Sequence, residues 1–295
     1  MNIKHKALPL LLFGVFGAAN AGISSGTGGA IANILTNGDP IPTTATAGID
    51  YNSTHVSTRD FAHVYAVSAG GSALAPGWSS DYPGAAQAGH PIFKMEIAYP
   101  TDGSKIARHE IVPRWEYVVS GVRWYAISVY IPSTWNFSQT PTIIGQLHTA
   151  QPSNITVSPP VRFEIFDHTL RLGLTASTQN SPAKQASSEQ VIKLLDLTPA
   201  SAIDRWHCFV ARADWSPEPG KGSFKLWVNG TLTYQASQAF NAYVTAGGNY
   251  AKTGLYVPGL DNMPANQTIY TDYVYIGDEQ TTSEQELTAL TPCGH

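Results

Sequence analysis

The chain has 295 residues, 13% charged and 11% aromatic, with 26 Gly, 20 Pro and a formal net charge of −4. That mixture is too apolar for a disordered chain and poor in the charged residues that amphipathic helices carry, so it points to many strands joined by tight turns. The absence of a Lys/Arg run or basic tail excludes the electrostatic footprint of a nucleic-acid binder.

In chain order, Lys4 and Lys6 precede a short apolar run over 8–16, and Ala19-Asn20-Ala21 follows it. This is the layout of a secretory signal peptide over 1–21, too short for a spanning helix. Its removal takes Lys4 and Lys6 away and leaves a formal charge of about −6. No later segment is apolar for long enough to cross a membrane, so a secreted protein, extracellular or periplasmic, is expected. Residues 22–58 are rich in Gly, Ser, Thr and Ala and read as a flexible lead-in with at most one short strand. Residues 59–295 read as one all-β domain.

Within that domain, 93–97 alternates, and a Pro-Thr-Asp-Gly turn follows at 100–103. Residues 123–131 and 142–149 read as strands, and 161–165 with 169–174 as a hairpin about Asp167-His168. The clearest hairpin joins 224–228 to 231–234 through Asn229-Gly230, a pair that readily takes the positive φ values of a type I′ turn. A last strand is expected over 269–276, and helix only over 187–195 and 283–290. Cys208 and Cys293 leave two readings open: one disulfide tying down the C-terminal tail, or a free thiol in a buried strand.

Three segments put polar groups on one strand face, where residues two apart point the same way. They are Arg108-x-Glu110, Gln146-x-His148, and Tyr250-x-Lys252-x-Gly254-x-Tyr256. Each alone has a structural reading as an ion pair, a hydrogen-bonded polar residue or a packed ring. Together and in this order they resemble the motifs of jelly-roll polysaccharide lyases of alginate lyase family seven. Trp215, 227–230 and 270–278 make the chain more similar to the glucuronan lyase and heparin lyase I-like group.

The resemblance implies a β-jelly roll, a concanavalin A-like sandwich of two antiparallel sheets. It also implies β-elimination on an acidic, uronic-acid-containing polysaccharide, by a monomer. Arg108, Gln146 and His148 would then surround the uronate carboxylate. Tyr256 would protonate the leaving oxygen, and Tyr256 or His148 would take the C5 proton. Glu110 would orient Arg108, with Lys252, Tyr250 and Trp115 along the substrate. The chemistry needs no metal; relatives of this fold carry a structural Ca²⁺, for which Asp272 is a candidate ligand. Val112 replaces the Arg, and Val257-Pro258 the Asn-Gln, of the alginate pattern, so glucuronan is expected ahead of alginate and heparin. A non-catalytic carbohydrate-binding protein using Trp115, Trp124 and Tyr243 is the rival reading. A hydrolase would need two carboxylates flanking the bond.

Overall fold

Period-two alternation of apolar and polar side chains produces two sheets that share one apolar interior. The computed structural model describes residues 23–24, 61–66, 75–78, 91–97, 107–113, 118–150, 158–177, 187–216, 218, 220–237, 248–258, 266–272, 274–277 and 279–294. The first sheet runs Thr231–Ala236 (β13), Ser223–Val228 (β12), Arg205–Trp215 (β11), Gly121–Ile131 (β6), Gln267–Thr271 (β15), Pro91–Ile97 (β4), Ala75–Trp78 (β3). Tyr275–Gly277 (β16) also pairs with β6 and carries the short Ile23–Ser24 (β1) on its other side. The second sheet runs Ser187–Asp196 (β10), Thr169–Ser177 (β9), Val161–Phe166 (β8), Thr142–Thr149 (β7), Asn249–Val257 (β14), Ala107–Pro113 (β5), Phe61–Ala66 (β2). This is the expected antiparallel jelly roll.

Ile127, Val129 and Phe209 from the first sheet meet Leu147, Phe163, Leu172 and Leu255 from the second, all buried. The Phe163 and Phe209 rings stack at 4.5 Å between centroids. Burial of such side chains is the main stabilising contribution, about 1.5–3 kcal/mol for each. A polar tie also crosses the interior: buried His109 Nδ1 lies 3.1 Å from both the backbone N and the backbone O of Glu96, fastening β5 to β4.

The other face of the first sheet is covered by the chain's end. Ser283 and Glu286 form a capping box at the start of Glu284–Thr288 (α1), and Leu287 is buried. The helix lies against β11, β6 and β16. Beyond it, Cys293 is disulfide-bonded to Cys208 with Cα atoms 6.2 Å apart, which decides between the two readings.

Two expected elements change. The helix expected at 187–195 is strand β10, paired with β9 along its length. The apolar run 191–195 fits either period, and the open edge of β9 decides for the strand. The strand expected at 269–276 divides into β15 and β16, because its register along β6 advances by one residue around Asp272. The Asn229-Gly230 turn has φ of 50° and 77°, as a type I′ turn requires. The leader, most of the lead-in and the 100–103 turn lie outside the described residues.

Candidate active site

In β14, Ala251, Leu255 and Val257 enter the core with buried Thr253 on the same side, leaving Tyr250, Lys252, Gly254 and Tyr256 on the outer face of the second sheet. The same alternation turns Arg108 and Glu110 outward from β5 while His109 points inward, and Gln146 and His148 outward from β7 while Leu147 points inward. Cross-strand register assembles them. Tyr256 stands opposite Arg108, Gly254 opposite Glu110, Lys252 opposite Gln146, and Tyr250 opposite His148. All three sequence segments therefore fall on one surface, with Tyr256 and His148 at its two ends.

Glu110 lies at its centre and is buried. Gln146 Nε2 donates to Glu110 Oε1, and Lys252 Nζ sits 3.9 Å from Glu110 Oε2. The carboxylate expected to orient Arg108 thus holds Gln146 and Lys252. Gly254 makes this packing possible. Its φ is 128°, and a Cβ there would come within 2.3 Å of the His109 carbonyl oxygen, so glycine alone fits.

Lys252 faces the Glu110 carboxylate, and Arg108 stands on the same outer face opposite Tyr256. The Arg108 guanidinium lies 4.5 Å from the Tyr256 ring centroid, and Lys252 Nζ lies 5.6 Å from that of Tyr250. Burial pushes the Lys252 ammonium down, Glu110 opposes this, and Arg108 adds to it. His148 is held at about 3, first by burial and then by Lys252 and Arg108. Its Nδ1–H donates to the Thr149 carbonyl at 2.8 Å. The neutral ring therefore presents Nε2 as a lone pair, and in this tautomer it accepts a proton and cannot donate one.

The polysaccharide lyase family profile matches residues 83–275. The chain belongs to the polysaccharide lyase family. Among solved structures, an endo-β-1,4-glucuronan lyase from the fungus Trichoderma reesei superposes with TM-score 0.61 at 15% identity, covering 74% of this chain and 91% of that one. Family 7 alginate lyase A1-II′ gives TM-score 0.46 at 13% identity, covering 66% and 80%. Among curated proteins none matches.

Other residues of the lyase fall elsewhere than expected. Val257 is a core residue, its side chain turned away from the outer face. Trp124 belongs to the opposite sheet, stacked on Trp227 at 5.6 Å. Trp115 and Tyr243 lie outside the described residues. Asp272 is buried, and its Oδ2 accepts the Tyr275 hydroxyl at 3.3 Å. No group of three acidic, His or Cys side chains is gathered for a metal among the described residues.

Sequence reasoning missed Arg162, Glu164 and Arg171, which occupy the same outer face one and two strands beyond β7. Glu164 accepts from Arg162 Nε at 2.9 Å and from Arg171 at 2.7 Å. The signal was present: Arg-x-Glu spacing recurs at 162–164.

Proposed function

We propose that the chain is a secreted lyase cleaving a uronic-acid polymer by β-elimination at this face, with glucuronan ahead of alginate and heparin or another glycosaminoglycan. The observation that carries the reading is that Arg108, Lys252, His148 and Tyr256, from three adjacent strands, all share the outer face of the second sheet. The C5 proton of a uronate is hard to remove while the neighbouring carboxylate keeps its charge. Arg108 and the second N–H of Gln146 Nε2 neutralise that carboxylate as the enolate-like intermediate forms. Losing one such donor typically reduces the rate about 10²–10³-fold.

The C5–H pair then becomes the C4–C5 double bond, the C4–O4 bond breaks, and Tyr256 O–H gives its proton to O4. In D-glucuronate or D-mannuronate, C5–H and O4 lie on the same ring face, so Tyr256 takes the C5 proton on its phenolate oxygen and passes that same proton to O4. In an L-configured uronate the C5–H faces the opposite side, where His148 Nε2 accepts it. The bound carboxylate offsets the two cations that lower His148 and makes it a stronger base.

The preference for glucuronan is supported by Val112 and by what the Trichoderma neighbour's name says of that protein. Secretion is supported by the signal-type sequence over 1–21 and by the Cys208–Cys293 disulfide, which suits an oxidising compartment.

The test incubates the mature chain with glucuronan, alginate, heparin and hyaluronan and follows the ultraviolet absorbance of unsaturated uronate ends. New reducing ends without that absorbance would mean hydrolysis; neither signal would mean binding alone. Tyr256→Phe is expected to remove the signal on every polymer, and His148→Ala to remove it selectively at L-configured uronates.

A further inference from the structure

The outer face continues past the reacting residues in a polar row that the elimination does not use. Across β14, β7, β8 and β9 the register aligns Lys252, Gln146, Arg162 and Gly173. A Cβ on Gly173 would sit 2.5 Å from Arg162 Cζ. The guanidinium therefore lies flat over a glycine that leaves it room. From there Nη1 reaches Thr175 at 3.1 Å, and Nη2 reaches Glu189 on the edge strand β10.

Charge in this cluster is unevenly secured. Glu164 is buried and shared between Arg162 and Arg171. The second carboxylate, Glu189, is 53% exposed, whereas the Arg162 side chain is 11% exposed. Exposed carboxylates give up an ion pair readily, because water solvates the separated partner. If Glu189 turns away, two arginines face one glutamate, and a fixed, flat guanidinium with bidentate geometry becomes available. Three of the five N–H groups of Arg162 are engaged among the described residues.

We propose that Arg162 is a second carboxylate-binding position on this face, and that Glu189 occupies it in the free protein in place of a substrate carboxylate. Arg108 on β5 and Arg162 on β8 are three strands apart across the sheet, about 14 Å at ~4.8 Å per strand, and their rows meet β14 at Tyr256 and Lys252, which adds a further offset along the strands. That exceeds one hexose, so the two arginines hold different sugars of the same chain. The proposal rests on the uronate-polymer reading above. It extends that reading to a specificity residue requiring a second acidic sugar.

Calorimetry in a Tyr256→Phe background, which keeps the ligand intact, measures binding of β-1,4-glucuronate oligosaccharides of increasing length. Arg162→Met is expected to weaken binding of long oligomers about tenfold, equivalent to about 1.4 kcal/mol. It should leave binding of a disaccharide unchanged. Glu189→Gln, a rim substitution that leaves the fold alone, is expected to act oppositely and tighten the long oligomers. Equal weakening at every length, or no tightening by Glu189→Gln, overturns the proposal. Failure of every oligomer to bind overturns both this proposal and the uronate reading. Length-dependent shifts in a chain whose unmutated form yields no unsaturated ends would keep Arg162 as a binding residue and sink the lyase substrate assignment alone.

Discussion

His148 combines three facts that bear on one another. Its Nδ1–H is committed to the Thr149 carbonyl, its ring is half-buried, and Lys252 and Arg108 lie close enough to disfavour imidazolium. The free protein therefore carries a neutral His148 at every pH above about 4, since its pKa is lowered to about 3. Lys252→Met deletes the larger of the two cationic causes and should move the His148 titration upward, read from imidazole NMR. A titration that stays or falls would show that Lys252 does not act on this ring. Tyr256→Phe keeps ring packing under Arg108 and removes only the hydroxyl. It should lower kcat by about 10²–10⁴ while KM changes little, since proton transfer is lost and binding is not. A comparable rise in KM with kcat preserved would assign Tyr256 to binding alone.

Between residues and fold stands the β14–β5 ladder, which sets Tyr256 beside Arg108 and opens a place for Glu110 opposite Gly254. Gly254→Ala puts a Cβ against the His109 carbonyl at a positive φ. The strain should lower stability by about 1–3 kcal/mol and should reduce turnover more than an equally destabilising change in the core. Denaturant unfolding and kcat measured on the same sample check both, and unaltered turnover would mean that the ladder does not set the site. The three segments of this face were legible because a strand face has a period of two, and Arg108, Glu110, Gln146, His148, Lys252 and Tyr256 all obey it. The Asn229-Gly230 hairpin was legible from turn chemistry alone. The β10 strand was not, because a short apolar run has no period of its own and takes its form from the edge it joins. Nor were the contacts of Glu110 with Lys252 and Gln146, which register across β14 and β7 brings to it. Cross-strand register is a tertiary property, and it also hid Arg162.

Over the whole molecule, the site occupies the outer face of one sheet, while the helix and disulfide that close the chain lie on the far side of the other. Stability and activity should thus be separable. Replacing both Cys208 and Cys293 with Ala frees a link spanning 85 residues and should lower stability by about 2–4 kcal/mol, with kcat retained at room temperature. Acid should act differently, because His109 and His207 are buried and His148 is half-buried, and all three are held below their usual range chiefly by burial. A histidine that is neutral when folded but titrates normally when unfolded stabilises fully above the unfolded value of 6.5, and that stability is lost as pH falls toward the folded value. For His207, whose pKa is lowered to about 4 and whose Nε2–H donates to Ala202 at 2.8 Å, the loss is on the order of 3 kcal/mol between pH ~6.5 and ~4. His207→Gln keeps a donor for the Ala202 carbonyl but removes the titration. Urea midpoints at pH 7 and pH 5 should therefore lie closer together in the variant than in the parent. Equal pH dependence in the two proteins would locate the acid sensitivity in the other histidines or in the carboxylates.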